Sequence, residues 1–508
     1  MTQSTLHLFP PSGGIMRRTR RLLPLVALVT LPALVVPAAA VATSAPPQTT
    51  GAAAVVKVGG WTRLSDRGVI SLSEPHALPL GSGGTQVIWY QQDGASSESI
   101  RTRIVKETGK LGSPISTVVK GWAAIVDDPK IIDYGNQRMV VVAGLRSSNP
   151  GEKFYGPMAY ATSGNGATWT LGSGSLTADI YAYASYGTAA VDDGGTPLVG
   201  VVAGSDDVVT LHRGTDPSVP AGSPDWETTP LSGNSLYVSL GRDSKAGNTW
   251  AVWMQAFGST AQNGIIAQKV YPKPIGAWQK APQSTDKQGD FLGPDQGVAV
   301  ASRVGGEVWA AYKLGYPTAN KIALWRVGSK EVHVIKAPDV DRIALLPGPG
   351  GRLWLAWYSG TSGAVKVTRT NPAVTRFGKV SSVKPPTKKG SYSNVWSIGG
   401  SGRGGPLHLV VNAQIGAADP QIWYRKVLPG LLLVMSPHKL ADGKVVAKVT
   451  DAGAPVAKAK VTFLGTTKTT GANGTVTFTV GKSVRDGRYA ATAAKAGYAR
   501  GRGVVTVT

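Results

Sequence analysis

The stretch GGRLWLAWY, Gly350 to Tyr358, decides the fold. Its paired glycines supply the positive φ angles that a tight hairpin requires. Leu353, Leu355 and Trp357 then alternate with Trp354, Ala356 and Tyr358, the period of two that sends successive side chains to opposite faces of a sheet. It reads as a turn that feeds a strand buried on both sides. Aligned on the last turn residue, copies stand at Gly84 (TQVIWY), Gly135 (NQRMVVV), Gly195 (TPLVGVV), Gly247 (NTWAVW), Gly306 (EVWAAY), Gly351 (RLWLAWY) and Gly405 (PLHLVV), at intervals of 51, 60, 52, 59, 45 and 54 residues.

Repeats of strand and turn near this length predict an all-β chain built as a seven-bladed β-propeller over residues 60–430. Each repeat reads as an inner strand, the glycine turn, a Trp-rich second strand, and then a third and a fourth. The fifth shows the order clearly, with GVAVAS from Gly297, VWAAYKL from Val308, KIALWRV from Lys321 and EVHVIKA from Glu331. Aromatic residues that recur at one position in a repeat are read as packing between blades. GWTRLSDRG, Gly60 to Gly68, has the form of a fourth strand, like AWQKAPQ from Ala277 and DWETTPL from Asp225. The seventh repeat stops after QIWYRKV, Gln421 to Val427, so the N-terminal strand is expected to complete it and leave no open edge.

Composition bounds compartment and partners. Arg17, Arg18, Arg20 and Arg21 precede the apolar run LLPLVALVTLPALVVP and the small residues Ala38 to Ala42, the three regions of a signal peptide over residues 1–42. Translation from Met16 would give the same signal. Pro24, Pro32 and Pro37 and the short apolar run argue against a retained transmembrane segment, and a secreted, cell-surface associated protein is expected. Residues 43–59 read as a linker. With no cysteine in 508 residues, disulfides, lipoprotein attachment and thiolate chemistry are excluded. The net charge is +24, and residues 431–508 carry 12 basic and 3 acidic side chains. That balance suits a glycan or anionic cell-envelope polymer, while the dispersal of the basic residues along strands argues against nucleic acid. A monomer is expected.

Near Leu431 the chain changes to short alternating strands separated by tight turns. Asp451-Ala452-Gly453-Ala454-Pro455-Val456, Ala472-Asn473-Gly474 with the following VTF, and Lys495-Ala496-Gly497-Tyr498 resemble the bacterial Ig-like and carboxypeptidase-regulatory-like sandwich modules. The resemblance implies an Ig-like β-sandwich over 431–508 that acts as a stalk or spacer. In the repeats, TSGNGATW resembles the Asp-box of sialidase-like (BNR) propellers, with Thr162, Gly166, Thr168 and Trp169 fitting and Gly164 at the Asp position. It implies a structural turn between the third and fourth strands of a blade, and, from the usual blade number of that family, six blades as the alternative. The same resemblance implies an arginine at the start of the first inner strand. SEPHALPLGSGGTQVIWY puts Ser73 there, and a hydroxyl cannot make the paired hydrogen bonds of a carboxylate clamp.

Inner-strand starts in a propeller converge on one mouth of the channel. The polar residues near those starts are Glu74, His76, Asp127, Asp128, Lys130, Tyr186, Tyr237, Asp295, Gln296, Asp339, Asp341, Arg342, Tyr392 and Asn394. Glycoside hydrolysis needs two carboxyl groups, or a tyrosine and a carboxylate, across one bond, and these residues supply the types without a decisive motif. No cofactor is expected. The six histidines lack ligand spacing, and only loop Asp and carbonyl oxygens leave room for a structural calcium ion. A GxSxG elbow and a phosphate loop are absent. The expected function is glycan recognition without catalysis; a glycoside hydrolase or polysaccharide lyase, and a protein-interaction platform, are the alternatives.

Overall fold

The alternation in GGRLWLAWY is realised side chain by side chain. Gly350 and Gly351 turn at φ 59° and 74°, and Leu353–Ser359 is buried throughout. Leu353, Leu355 and Trp357 join a core with Trp309, Ala311 and Leu324 of the preceding repeat. Trp354, Ala356 and Tyr358 join another with Leu407, Leu409 and Val411 of the following repeat. One strand therefore packs against both neighbours, which is why both of its faces are apolar.

The computed structural model describes residues 55–69, 73–94, 97–125, 129–145, 158–172, 185–191, 196–203, 208–214, 226–232, 235–255, 263–285, 298–315, 318–387 and 391–508. Among them the repeats form seven antiparallel sheets, and no α-helix occurs. Their inner strands are His76–Pro79, Lys130–Tyr134, Ser185–Val191, Ser235–Asp243, Ala299–Ser302, Val340–Pro347 and Ser393–Ser401. Each inner strand touches the next in chain order and the seventh touches the first, so the contacts close into a ring. Apolar cores fill the space between neighbouring sheets, with Trp89, Trp253, Trp309, Trp325 and Trp354 fully buried. The recurring tryptophans are packing residues.

Ring closure uses the N-terminal strand. Thr62 of Trp61–Arg63 lies opposite Tyr424, and Arg63 opposite Trp423. The Trp61 indole is buried and donates to the Lys384 carbonyl at 2.8 Å. One boundary differs from expectation. Lys57–Val58, assigned to the linker, pairs with Trp61–Arg63 as a further strand, because Gly59 and Gly60 (φ 55° and 86°) let the chain double back.

Residues 431–508 form two smaller sheets around one core that includes Phe463 and Phe478. This module is held against the turn end of the sixth sheet, not joined by chain alone. Arg369 Nε donates to Asp451 Oδ2 at 3.0 Å, Arg369 Nη2 pairs with the same oxygen, and Arg352 Nη1 lies 3.5 Å from it. Arg369 also donates to the Tyr498 hydroxyl at 3.2 Å and lies against the Trp354 and Tyr498 rings. The Ala499 amide donates to the Pro429 carbonyl at 2.9 Å, which fixes the junction.

Candidate functional site

Four inner strands break register near their starts, between Ser185 and Thr188, Leu236 and Ser239, Val340 and Ile343, and Val395 and Ser397. The residues inside these breaks are Tyr186 and Gly187, Tyr237 and Val238, Asp341 and Arg342, and Trp396. An extra residue in one strand bends it and re-aims side chains, a common device beside binding sites. Tyr186, Tyr237, Asp341 and Arg342, all expected at the mouth, thus sit in bulges. For Tyr186 and Tyr237 the described part is the backbone; Asp128, Asp295 and Gln296, with Asp127, lie outside the described residues.

Where the fifth, sixth and seventh sheets meet, side chains converge. In Val308–Leu314 the period of two puts Lys313 on the face of Trp309 and Ala311, toward the sixth sheet, at the end of the strand that lies beside the inner-strand starts. Lys313 is only 8% exposed, and among the described residues its ammonium makes no hydrogen bond or ion pair. Burial lowers its pKa to about 8, with Asp341 opposing that shift and Arg342 adding to it. Arg342, buried in the adjacent bulge, donates from Nε to the Trp396 carbonyl at 2.7 Å and from Nη1 to Asp341 Oδ1 at 3.3 Å. The Asp341 side chain stays 47% exposed. Across from this bulge, burial raises the Tyr358 pKa, and Asp341 and Asp339 add to the shift. Lys313, Tyr358 and Trp396 escaped the sequence reading. Two lie at the ends of second strands, where a run of buried residues masks a polar end, and the third reads as one more packing aromatic.

The cluster continues around the ring. Ser397 Oγ and Asn412 Nδ2 donate to the Ser73 carbonyl at 2.8 and 3.0 Å, and the Ser73 hydroxyl bonds the Tyr90 backbone at 3.2 Å. Ser73 is fully buried, so the position of the expected arginine is a tie between the first and seventh sheets. Glu74 and Lys130 approach to 3.8 Å between the first and second sheets. His76 also has a structural part. Its Nδ1 accepts the Ile131 amide at 3.1 Å, and desolvation, then Lys130, lowers its pKa to about 3, so it stands as a neutral strut between the first and second sheets. At the seventh inner strand Asn394 lies opposite Gln414, and Tyr392 just before it is 67% exposed. Among the described residues no group of three or more His, Cys, Asp or Glu converges as a metal site.

The Asp-box-like turn works differently from its alignment. Gly164 falls at the Asp position, yet Asn165 supplies the oxygen: its Oδ1 accepts the Ala167 and Thr168 amides at 2.8 and 2.9 Å and the Ser163 hydroxyl at 3.1 Å. Ser163 Oγ in turn accepts the Gly166 amide at 2.8 Å. Thr162 pairs with Thr170, Trp169 packs on the core shared by the first and second sheets, and the Gly166 carbonyl accepts from Gln86 at 2.8 Å. The capping side chain is displaced by one residue, which a position-by-position alignment scores as a loss.

No known protein family matches the sequence, and no curated protein matches it. Solved structures do. A polysaccharide lyase is 10% identical over 76% of this chain and 95% of its own, at a TM-score of 0.43. A protein of unknown function from Dyadobacter fermentans is 10% identical over 72% of this chain and 98% of its own, at 0.42. A lectin of Aleuria aurantia is 17% identical over 58% and 91%, at 0.35. With these scores below 0.5, none of these likenesses assigns an activity to this chain.

Proposed function

We propose that the protein is an exported seven-bladed β-propeller with a C-terminal Ig-like module, which binds an anionic glycan or cell-envelope polymer at the ring mouth without catalysis. The observation that supports this reading is Lys313. Lys313 is a nearly buried residue whose ammonium has no hydrogen bond or ion pair among the described residues, and an incoming carboxylate or sulfate at the seam with Arg342 would supply one. The exposed ring of Tyr392 offers a face on which a sugar can stack. Removal of residues 1–42 on export, action as a monomer and no part for nucleic acid belong to the same reading. Its test is an array of acidic and neutral polysaccharides probed with the mature protein. Retention of the acidic members, lost in Lys313→Met with Arg342→Gln, is expected; equal retention of neutral polymers would overturn it.

One observation favours a second reading, a polysaccharide lyase. A lysine with a pKa near 8 close to Asp341 and Arg342 has the groups for elimination on a uronate. The arginine would neutralise the carboxylate, the free amine would take the adjacent C–H proton, and the departing oxygen would leave with a proton from water. Ultraviolet absorbance from an unsaturated product would appear on incubation with polyuronate, and a flat trace rejects this reading.

A further inference from the structure

The C-terminal module carries an imbalance that its fold does not resolve. Residues 431–508 hold twelve lysines and arginines against Asp442, Asp451 and Asp486. Asp451 is buried and committed to Arg369 and Arg352 of the ring. Asp442 and Asp486 are exposed in connections between strands. Among the described residues none of the twelve cations stands in an ion pair, so docking has spent a carboxylate and left the cations uncompensated.

Two of these cations share one outer face and a third lies at its edge. In Gly443–Asp451 the buried side chains Val445, Ala447 and Val449 face the core, so Lys444, Val446 and Lys448 face outward. Lys444 lies opposite Thr479, Val446 opposite Thr477 and Lys448 opposite Thr475 on Thr475–Val480. Lys468, from the edge strand of the other sheet, reaches over the buried Phe478 ring and donates to the Thr477 carbonyl at 2.8 Å, which holds its ammonium at the edge of this sheet, beside the face. Lys444 and Lys448 stand about 13 Å apart along the extended strand. Ammonium and hydroxyl donors thus alternate over a surface whose outward positions carry no carboxylate, with Val446 between them as an apolar contact.

We propose that this face is a second binding surface, for a linear polysaccharide carrying carboxylates at regular intervals, independent of the ring mouth. A stiff polymer with spaced charges matches ammoniums on a rigid strand, and the buried Asp451 clamp keeps the face fixed relative to the ring. Two sites on one rigid body raise the avidity for a long polymer without raising that for a short fragment.

The test uses the full mature chain and immobilised polygalacturonate, with dextran and anionic phospholipid vesicles as comparison probes. Replacing Lys444, Lys448 and Lys468 by glutamine is expected to weaken binding to the polymer by at least about tenfold at low salt and to flatten its salt dependence. A short oligogalacturonate should bind the variant as it binds the parent. Because Lys468 also braces Thr477, the pair Lys444→Gln and Lys448→Gln is measured beside the triple variant and should carry most of the loss. Glutamine at Lys460, Arg488 and Arg502, on the other sheet, is expected to have a smaller effect. Unchanged polymer binding in both variants of the first face, an equal loss from the second, or capture by vesicles but not by polygalacturonate would each overturn the proposal. Loss at the mouth variants alone leaves this face standing, and loss here alone leaves the mouth standing.

Discussion

Two clusters of the same residue types lie at opposite ends of the sixth sheet. At the turn end Asp451, 1% exposed, is gripped by Arg369 and Arg352 under the rings of Trp354 and Tyr498. At the inner-strand starts Asp341 remains open to solvent, Arg342 turns its Nε to a backbone carbonyl, and Lys313 has no direct partner among the described residues. The first is saturated and sealed, so it can only hold structure. The second is incomplete at a surface, the state expected of a site that awaits an anion. Residue type does not separate the two; hydrogen-bond satisfaction and access do.

Removing the acid from each end should separate them most sharply. Asp451→Ala strands two arginines in the interface and is expected to cost about 3–5 kcal/mol in denaturant unfolding, with the module melting apart from the ring. Asp341→Ala leaves an exposed position and should cost under about 1 kcal/mol. Similar losses at the two sites would break the comparison.

Acid should strain both ends through buried histidines. His76 near the mouth has its pKa lowered to about 3, and His408 at the turn end of the seventh sheet, bonded to the Tyr424 hydroxyl at 3.1 Å, has its pKa lowered to about 4 by burial, with Lys426 adding to the shift. The unfolded chain takes up protons below about pH 6.5 while the folded one resists, so stability should fall as pH drops from 6.5 toward 4. Melting temperatures of His76→Gln and His408→Gln across that range should each show a shallower fall than the parent.

Lys313→Met is expected to reverse the usual sign. Removing a largely buried ammonium that has no partner among the described residues should raise stability by about 1 kcal/mol while weakening binding of anionic glycans. Because the folded pKa of about 8 lies below the ordinary 10.5, the parent should gain stability from pH 8 to 10, and the variant should lack that gain. The smallest effect belongs to Tyr392→Ala, which should leave the melt unchanged and lower sugar affinity by several-fold.

The ring was largely legible because its determinants are local. Glycines at turns and alternation in strands such as Leu353–Ser359 depend on neighbours in sequence, and the fourth-strand form of Trp61–Arg63 revealed its pairing with Gln421–Val427. The site was legible only in part. Proximity to strand starts selected Asp341, Arg342 and Tyr392, but Lys313 enters through the face it shares with Trp309, a matter of sheet-to-sheet packing. The part His76 plays between sheets was hidden because its partner, the Ile131 amide, belongs to another sheet. Asn165 shows the same limit on a smaller scale, since an oxygen one residue away can cap the same turn.

Calorimetric titration of a short oligogalacturonate into the mature protein and into Lys313→Met bears most directly on the mouth. The expected result is saturable binding of one oligomer per chain that weakens with salt and falls at least about tenfold in the variant. Equal affinity in the two proteins, or equal affinity for a neutral oligosaccharide of the same length, would contradict it.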